Sequence, residues 1–202
     1  MKIIGLSGGS GSGKGSVAEI FSEYGIPSVD TDKVYRDLTC SKTPCLDALR
    51  AEFGAEIITA GGALDRVRLR EIVFTGDNAD EKLKRLNEIS HKFVLEKTRE
   101  ILKGYADAGV LAALVDAPLL FESKFNEECD EIISVIADKG IRIQRIMLRD
   151  GISDADARKR INAQLSDNFL INNSSYVIEN NGDLDVWRVA ASSVAKKILN
   201  IN

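Results

Sequence analysis

The stretch KIIGLSGGSGSGKGSVAEIF, residues 2–21, decides the fold. Its first part, KIIGLS, is a short apolar run with β-branched side chains and no helical period, which predicts a buried strand. Glycines follow at 8, 9, 11 and 13. From Lys14 to Tyr24 the apolar positions Val17, Ala18, Ile20 and Phe21 recur at helical spacing, and Gly25 and Pro27 end the run. Strand, glycine-rich loop and helix, with a lysine opening the helix, fit the phosphate-binding pattern G-x-x-x-x-G-K-[ST] through Gly8, Gly13 and Lys14. Such a loop works because glycines let the backbone turn its N–H groups onto phosphate oxygens, while the helix adds its positive end. The last position of the pattern departs: Gly15 stands where a hydroxyl would hold magnesium, and Ser16 comes one residue late. Gly15 keeps its N–H, so the cradle survives. The ion loses one direct ligand, which a water held by Asp32 or Asp116 can replace.

A rival pattern overlaps. Residues 13–18 fit the dinucleotide fingerprint G-x-G-x-x-G/A, and Asp30 and Asp32 stand near the distance of a ribose contact. That fingerprint needs its first glycine at the turn just after the strand. Here four glycines from 8 to 13 end the strand near Ser7, so the phosphate-loop reading prevails.

Outward from this stretch, PSVD (27–30), VLAALVD (110–116), EIISVIA (131–137) and YVIEN (176–180) read as four more strands. Between residues 33 and 104 the patterns are helical, broken at Gly61-Gly62 and Gly76-Asp77. Residues 140–151 predict a helix with Ile143, Ile146 and Met147 on one face. Residues 153–169 predict a polar helix, and 183–199 a closing amphipathic one. Strands alternating with helices imply an α/β domain with a mainly parallel five-stranded sheet covered on both faces. In such sheets ligands sit at the carboxyl ends of strands, where Ser7, Asp30 and Asp116 fall.

Asp30 and Asp32 share one side if the strand runs through both, and there a carboxylate can take a hydroxyl proton or hold metal-bound water. The competing role for Asp32 is capping a helix over 33–39. Asp116 ends its strand as a Walker-B acid does, or forms a turn before Pro118. Arg142, Arg145, Arg149, Arg158 and Arg160 cluster late in the chain. Most such charges are a solvated face, yet phosphoryl transfer develops charge that an arginine on a mobile lid can stabilise. Arg145, beside the apolar stripe, is the best constrained of them.

The 202 residues suit one domain with an insertion. A net charge of −4 argues against a general nucleic-acid binder. Three cysteines without metal-site spacing imply unpaired thiols, and the single His91 excludes a multi-histidine zinc site. With no signal peptide and no long apolar run, the expected location is cytoplasmic, away from membranes. No interface patch reveals an oligomeric state.

The sequence resembles the dephospho-CoA kinase family over essentially its whole length. GLSGGSGSGKGSVA is similar to the family's GLTGGIGSGKSTVA, and VDTDKVYR to its D-x-D segment. LDRVRLREIVF is similar to its L-D-R segment, ISHKF to its I-x-H-P, and VDAPLLFES to its D-x-P-L-L-x-E. QRIMLRDGIS, RINAQ and YVIENNG complete the series in order. The resemblance implies a P-loop NTPase fold, three-layered αβα, with core 1–34 and 106–202, a helical CoA-binding insertion at about 35–105 and a lid at about 141–170. It implies transfer of the γ-phosphoryl of ATP, with Mg²⁺, to the 3′-hydroxyl of dephospho-CoA.

By position, Lys14, Asp32 and Arg145 would be catalytic. Gly9, Ser10, Gly11, Ser12, Gly13, Lys14, Gly15, Ser16 and Val17 would hold ATP with Arg145, Asn181 and Gly182, Asn180 lying beside them. Asp32, Asp65, Arg66, His91, Leu119 and Leu120 would meet the acceptor. Gly15, Ser10 and Lys92 depart from the family's residues, and only Gly15 touches the chemistry. The alternative it raises is a nucleotide-binding protein with impaired catalysis. A nucleoside-monophosphate kinase is a third reading, which the large helical insert opposes.

Overall fold

The computed structural model describes residues 1–76, 78–182 and 184–201; Asp77, one of the residues read as a break, lies outside them. The chain runs β1 (Lys2–Gly8), α1 (Lys14–Glu23), β2 (Ser28–Asp30), α2 (Thr31–Thr39), α3 (Pro44–Phe53), α4 (Arg66–Phe74), α5 (Ala79–Asp107) and β3 (Ala112–Asp116). It continues through β4 (Glu131–Ile136), α6 (Lys139–Asp150), α7 (Asp154–Asn162), α8 (Asp167–Asn172), β5 (Tyr176–Glu179) and α9 (Leu184–Leu199). The strand order is β2-β3-β1-β4-β5, and every pairing is parallel. Expected as mainly parallel, the sheet is wholly so among the described residues.

Alternation along β1 sets the layers. Ile4 and Leu6 share one face with Leu114, Ile133 and Val135, and pack with Val17, Ile20 and Phe21 of α1 and Trp187, Ala191 and Ala195 of α9. Gly5 points the other way. A side chain there would strike Leu120 and the Cys129 thiol, which cover the opposite face. Each fully buried aliphatic or aromatic side chain contributes about 1.5–3 kcal/mol to this core.

The chain forms two compact units, Met1–Asp30 with Leu102–Asn202, and Thr31–Ile101. The second has its own core, with Cys45, Leu46, Leu49, Ile57, Leu69 and Val73 buried together. Among its described residues the β-pairing is limited to an isolated bridge between Ile58 and Leu64.

Three local expectations change. β2 stops at Asp30 and α2 starts at Thr31, so Asp32 is a first-turn residue, neither strand nor cap. Residues 153–169 are not one helix: α7 ends at Asn162 and α8 begins at Asp167, with the Ser166 hydroxyl accepting from Phe169 N as its cap. On α6, Ile143 and Ile146 are buried as expected, but Met147 is exposed and Arg142 takes the buried place. Among the described residues, no helix is long and apolar enough to cross a membrane.

Candidate active site

The phosphate loop runs from the end of β1 into α1, as its glycines require. Gly11 and Gly13 have φ of 78° and 98°, and a Cβ on Gly13 would meet the Asn180 amide. Gly8, Gly9, Ser10, Gly11 and Ser12 complete the turn, closed by Ser12 N–H donating to Gly9 O at 3.1 Å. Lys14, Gly15, Ser16 and Val17 form the first turn of α1; Val17 is buried in the core and fixes the helix there. A Cβ on Gly15 would meet nothing within 4 Å, so the missing side chain leaves open space.

Parallel pairing brings the predicted strand ends together. Leu6 is in register with Asp116, and Asp30 with Asp116 on the other side. The half-buried Lys14 Nζ donates to Asp116 Oδ1 at 3.0 Å. A lysine and an acid from distant parts of the chain thus meet beside the loop.

The loop is gripped from behind by α6 and by the residues after β5. Arg145 donates to Gly11 O and to Asn180 O, both at 3.2 Å, and to Asn180 Oδ1 at 3.0 Å. Asn180 donates through Nδ2 to Ser12 O at 2.9 Å. Asn181 is exposed and accepts from Asp138 N–H at 2.8 Å, and Gly182 takes a positive φ of 111° at the turn.

The remaining predicted residues separate. Leu119 is exposed, whereas Leu120 is fully buried against Gly5 and belongs to the core, with no open face for an acceptor. In the second unit, Asp32 is exposed in the first turn of α2, where a negative charge suits the helix dipole. Asp65 caps α4, its Oδ1 accepting from Arg68 N at 2.9 Å. Arg66 lies over the Tyr35 ring, 5.5 Å from its centroid, and donates to Thr39 Oγ1 at 3.2 Å. Burial pushes the Tyr35 hydroxyl's pKa above its ordinary value. His91 falls mid-way along α5.

The family model for dephospho-CoA kinase matches residues 2–185. The chain belongs to the dephospho-CoA kinase family. A dephospho-CoA kinase of Syntrophotalea carbinolica is 36% identical over 188 residues, 93% of this chain and 88% of its own. The crystal structure of TT1252 from Thermus thermophilus superposes with a TM-score of 0.79 at 28% identity, covering 97% of each chain. A dephospho-CoA kinase from Campylobacter jejuni shares the fold, with a TM-score of 0.72 at 24% identity over 98% of each chain.

Kinases of this kind work on magnesium-bound nucleotide. Asp116 at the end of β3 and the exposed Asp32 in the first turn of α2 are hard oxygen donors, and the space at Gly15 admits a water. No group of three or more metal-ligating side chains forms among the described residues. That donor set fits an ion carried largely by water and phosphate.

Sequence reasoning missed Arg142 and Gln164. The signal was present: Arg142, Arg145 and Arg149 recur at spacings of three and four, one face of a helix. Arg142 and Arg149 look solvated in the sequence, yet with Arg145 they face the loop.

Proposed function

We propose that the protein transfers the γ-phosphoryl group of ATP to the 3′-hydroxyl of dephospho-CoA, giving coenzyme A and ADP. The observation that carries this reading is the loop of residues 8–13 entering α1, with Lys14 held 3.0 Å from Asp116 at the strand ends, in a chain of this family.

Each residue's task follows from its chemistry. Backbone N–H groups of Gly11 and of Gly13 to Ser16 bind the phosphates, and Lys14 exchanges Asp116 for the β- and γ-oxygens as nucleotide enters. Asp32 takes the proton of the 3′-hydroxyl. The ribose oxygen bonds to the γ-phosphorus, the bond to the β,γ-bridging oxygen breaks, and ADP leaves with that electron pair. Arg145 stabilises the charge that develops. Asp116, with Asp32, holds Mg²⁺ through water; the ion neutralises phosphate charge. Asn181 and Gly182 border the adenine. Residues 35–105 bind the acceptor through Asp65, Arg66 and His91, with Leu119 at its edge, and residues 141–170 act as the lid. The enzyme works in the cytoplasm, on small molecules and not on nucleic acid.

Asp32→Asn tests the assignment. Transfer should fall by at least about a thousandfold while affinity for magnesium-free ATP stays the same, since a base is lost and the phosphate loop is untouched. Equal loss of both would make Asp32 structural.

A further inference from the structure

Arg142 has no task in the reaction above, yet it is 4% exposed. A buried guanidinium is costly unless its donors are paired. Here they are: Nε donates to Ser10 O at 3.0 Å, Nη1 to Asp167 Oδ1 at 3.1 Å and Nη2 to Gln164 Oε1 at 3.0 Å. The same Gln164 oxygen accepts Ser10 N–H at 2.9 Å. Arg149 adds a donor to Ser10 Oγ at 3.3 Å. Every polar group of Ser10 is therefore bonded to α6 or to the α7–α8 junction. Gly9 makes room for this, because a Cβ there would collide with the Arg142 guanidinium.

Three consecutive loop carbonyls are each held from outside by a side chain: Ser10 O by Arg142, Gly11 O by Arg145 and Ser12 O by Asn180. No cis peptide interrupts the loop. In a trans peptide the C=O and the following N–H point in opposite directions. Fixing these carbonyls therefore fixes the N–H groups of Gly11, Ser12 and Gly13. Ser12 N–H closes the loop on Gly9 O, while those of Gly11 and Gly13 are turned away from the clasp, as an anion nest requires.

We propose that Arg142 is a positioning residue for the nucleotide's phosphates: it holds the Ser10 carbonyl outward so that Gly11 N–H faces the phosphates, and ties that geometry to α7 and α8 through Gln164 and Asp167. The proposal rests on reading residues 8–14 as the ATP site. It implies that the loop is ordered before nucleotide arrives.

Calorimetric titration of ATP into the wild type, Arg142→Met and Arg142→Lys tests this, with amide exchange across residues 9–13. Methionine fills the volume and removes every donor; lysine keeps the charge on a single donor atom. The methionine variant should bind ATP about tenfold more weakly, with faster exchange at Gly11 and Gly13 and dephospho-CoA affinity unchanged. The lysine variant should fall between. ATP affinity equal to wild type overturns the proposal, whatever happens to the melting temperature, because a mere pin for α7 and α8 would lower only the latter. A wild type that binds no ATP overturns instead the reading beneath it. Should neither variant fold, the wild type's own Arg142 Nε–H decides by nitrogen-edited NMR: slow exchange is expected, and rapid exchange overturns the proposal.

Discussion

Gly15 is the residue on which the proposed use of magnesium turns. The backbone that cradles phosphate does not need its side chain, and nothing lies within 4 Å of where a Cβ would project. Gly15→Ser should therefore fold without strain and lower the magnesium needed for half-maximal rate by about tenfold. An unchanged requirement would show that the ion is held in some other way. The cysteines make a second residue-scale case. Burial pushes the Cys129 thiol up to about 12 and Cys45 up to about 11, so neither forms the reactive thiolate near neutrality, while Cys40 is exposed. Iodoacetamide at pH 8 should label Cys40 alone in the native protein, and all three thiols once it is unfolded. Rapid labelling of Cys129 in the native state would contradict its burial.

At the scale of elements, α6 and α7 are joined by Asp150. The hydrogen bond from Arg149, and then that from Arg160 of α7, hold its carboxyl down to about 2. A depressed pKa gives stability that is present above the ordinary value of 3.8 and lost as pH falls toward about 2. Protection of the amides over 154–162 relative to their intrinsic exchange should fall in that acid window, and Asp150→Asn should show the lower protection already at pH 7. Equal protection of the variant at pH 7 would mean that other contacts hold α7. These helices also show what the sequence could not convey. Four of the five strands were legible as compact apolar runs between glycines or polar turns, whereas β2 holds a single apolar residue, Val29. β3 nonetheless starts at Ala112, not Val110, since Leu111 remains exposed. The break between α7 and α8 escaped because Gln164 serves a distant loop, a contact that no local period reports. Arg142 escaped for the same reason: a buried arginine looks solvated until its partners, more than 130 residues earlier for Ser10, fold against it. Asp116, by contrast, was readable from its place at the end of an apolar run.

At the scale of the whole molecule, a parallel-sheet unit carries Lys14, Asp116 and Arg145, and a helical unit carries Asp32, Asp65, Arg66 and His91. Each has a separate buried core, so substitutions in one core should leave the other's packing intact. The proposed phosphoryl transfer calls on residues of each, which places the central claim at this scale. The most direct test is ADP release by the purified protein with dephospho-CoA as acceptor, titrating magnesium from low to high. Turnover that requires dephospho-CoA, and that rises only at elevated magnesium, is the predicted result: a working kinase whose ion is carried through water at Gly15. ATP binding without turnover at any magnesium concentration would contradict it, and would mark a chain that keeps the nucleotide site but not the reaction.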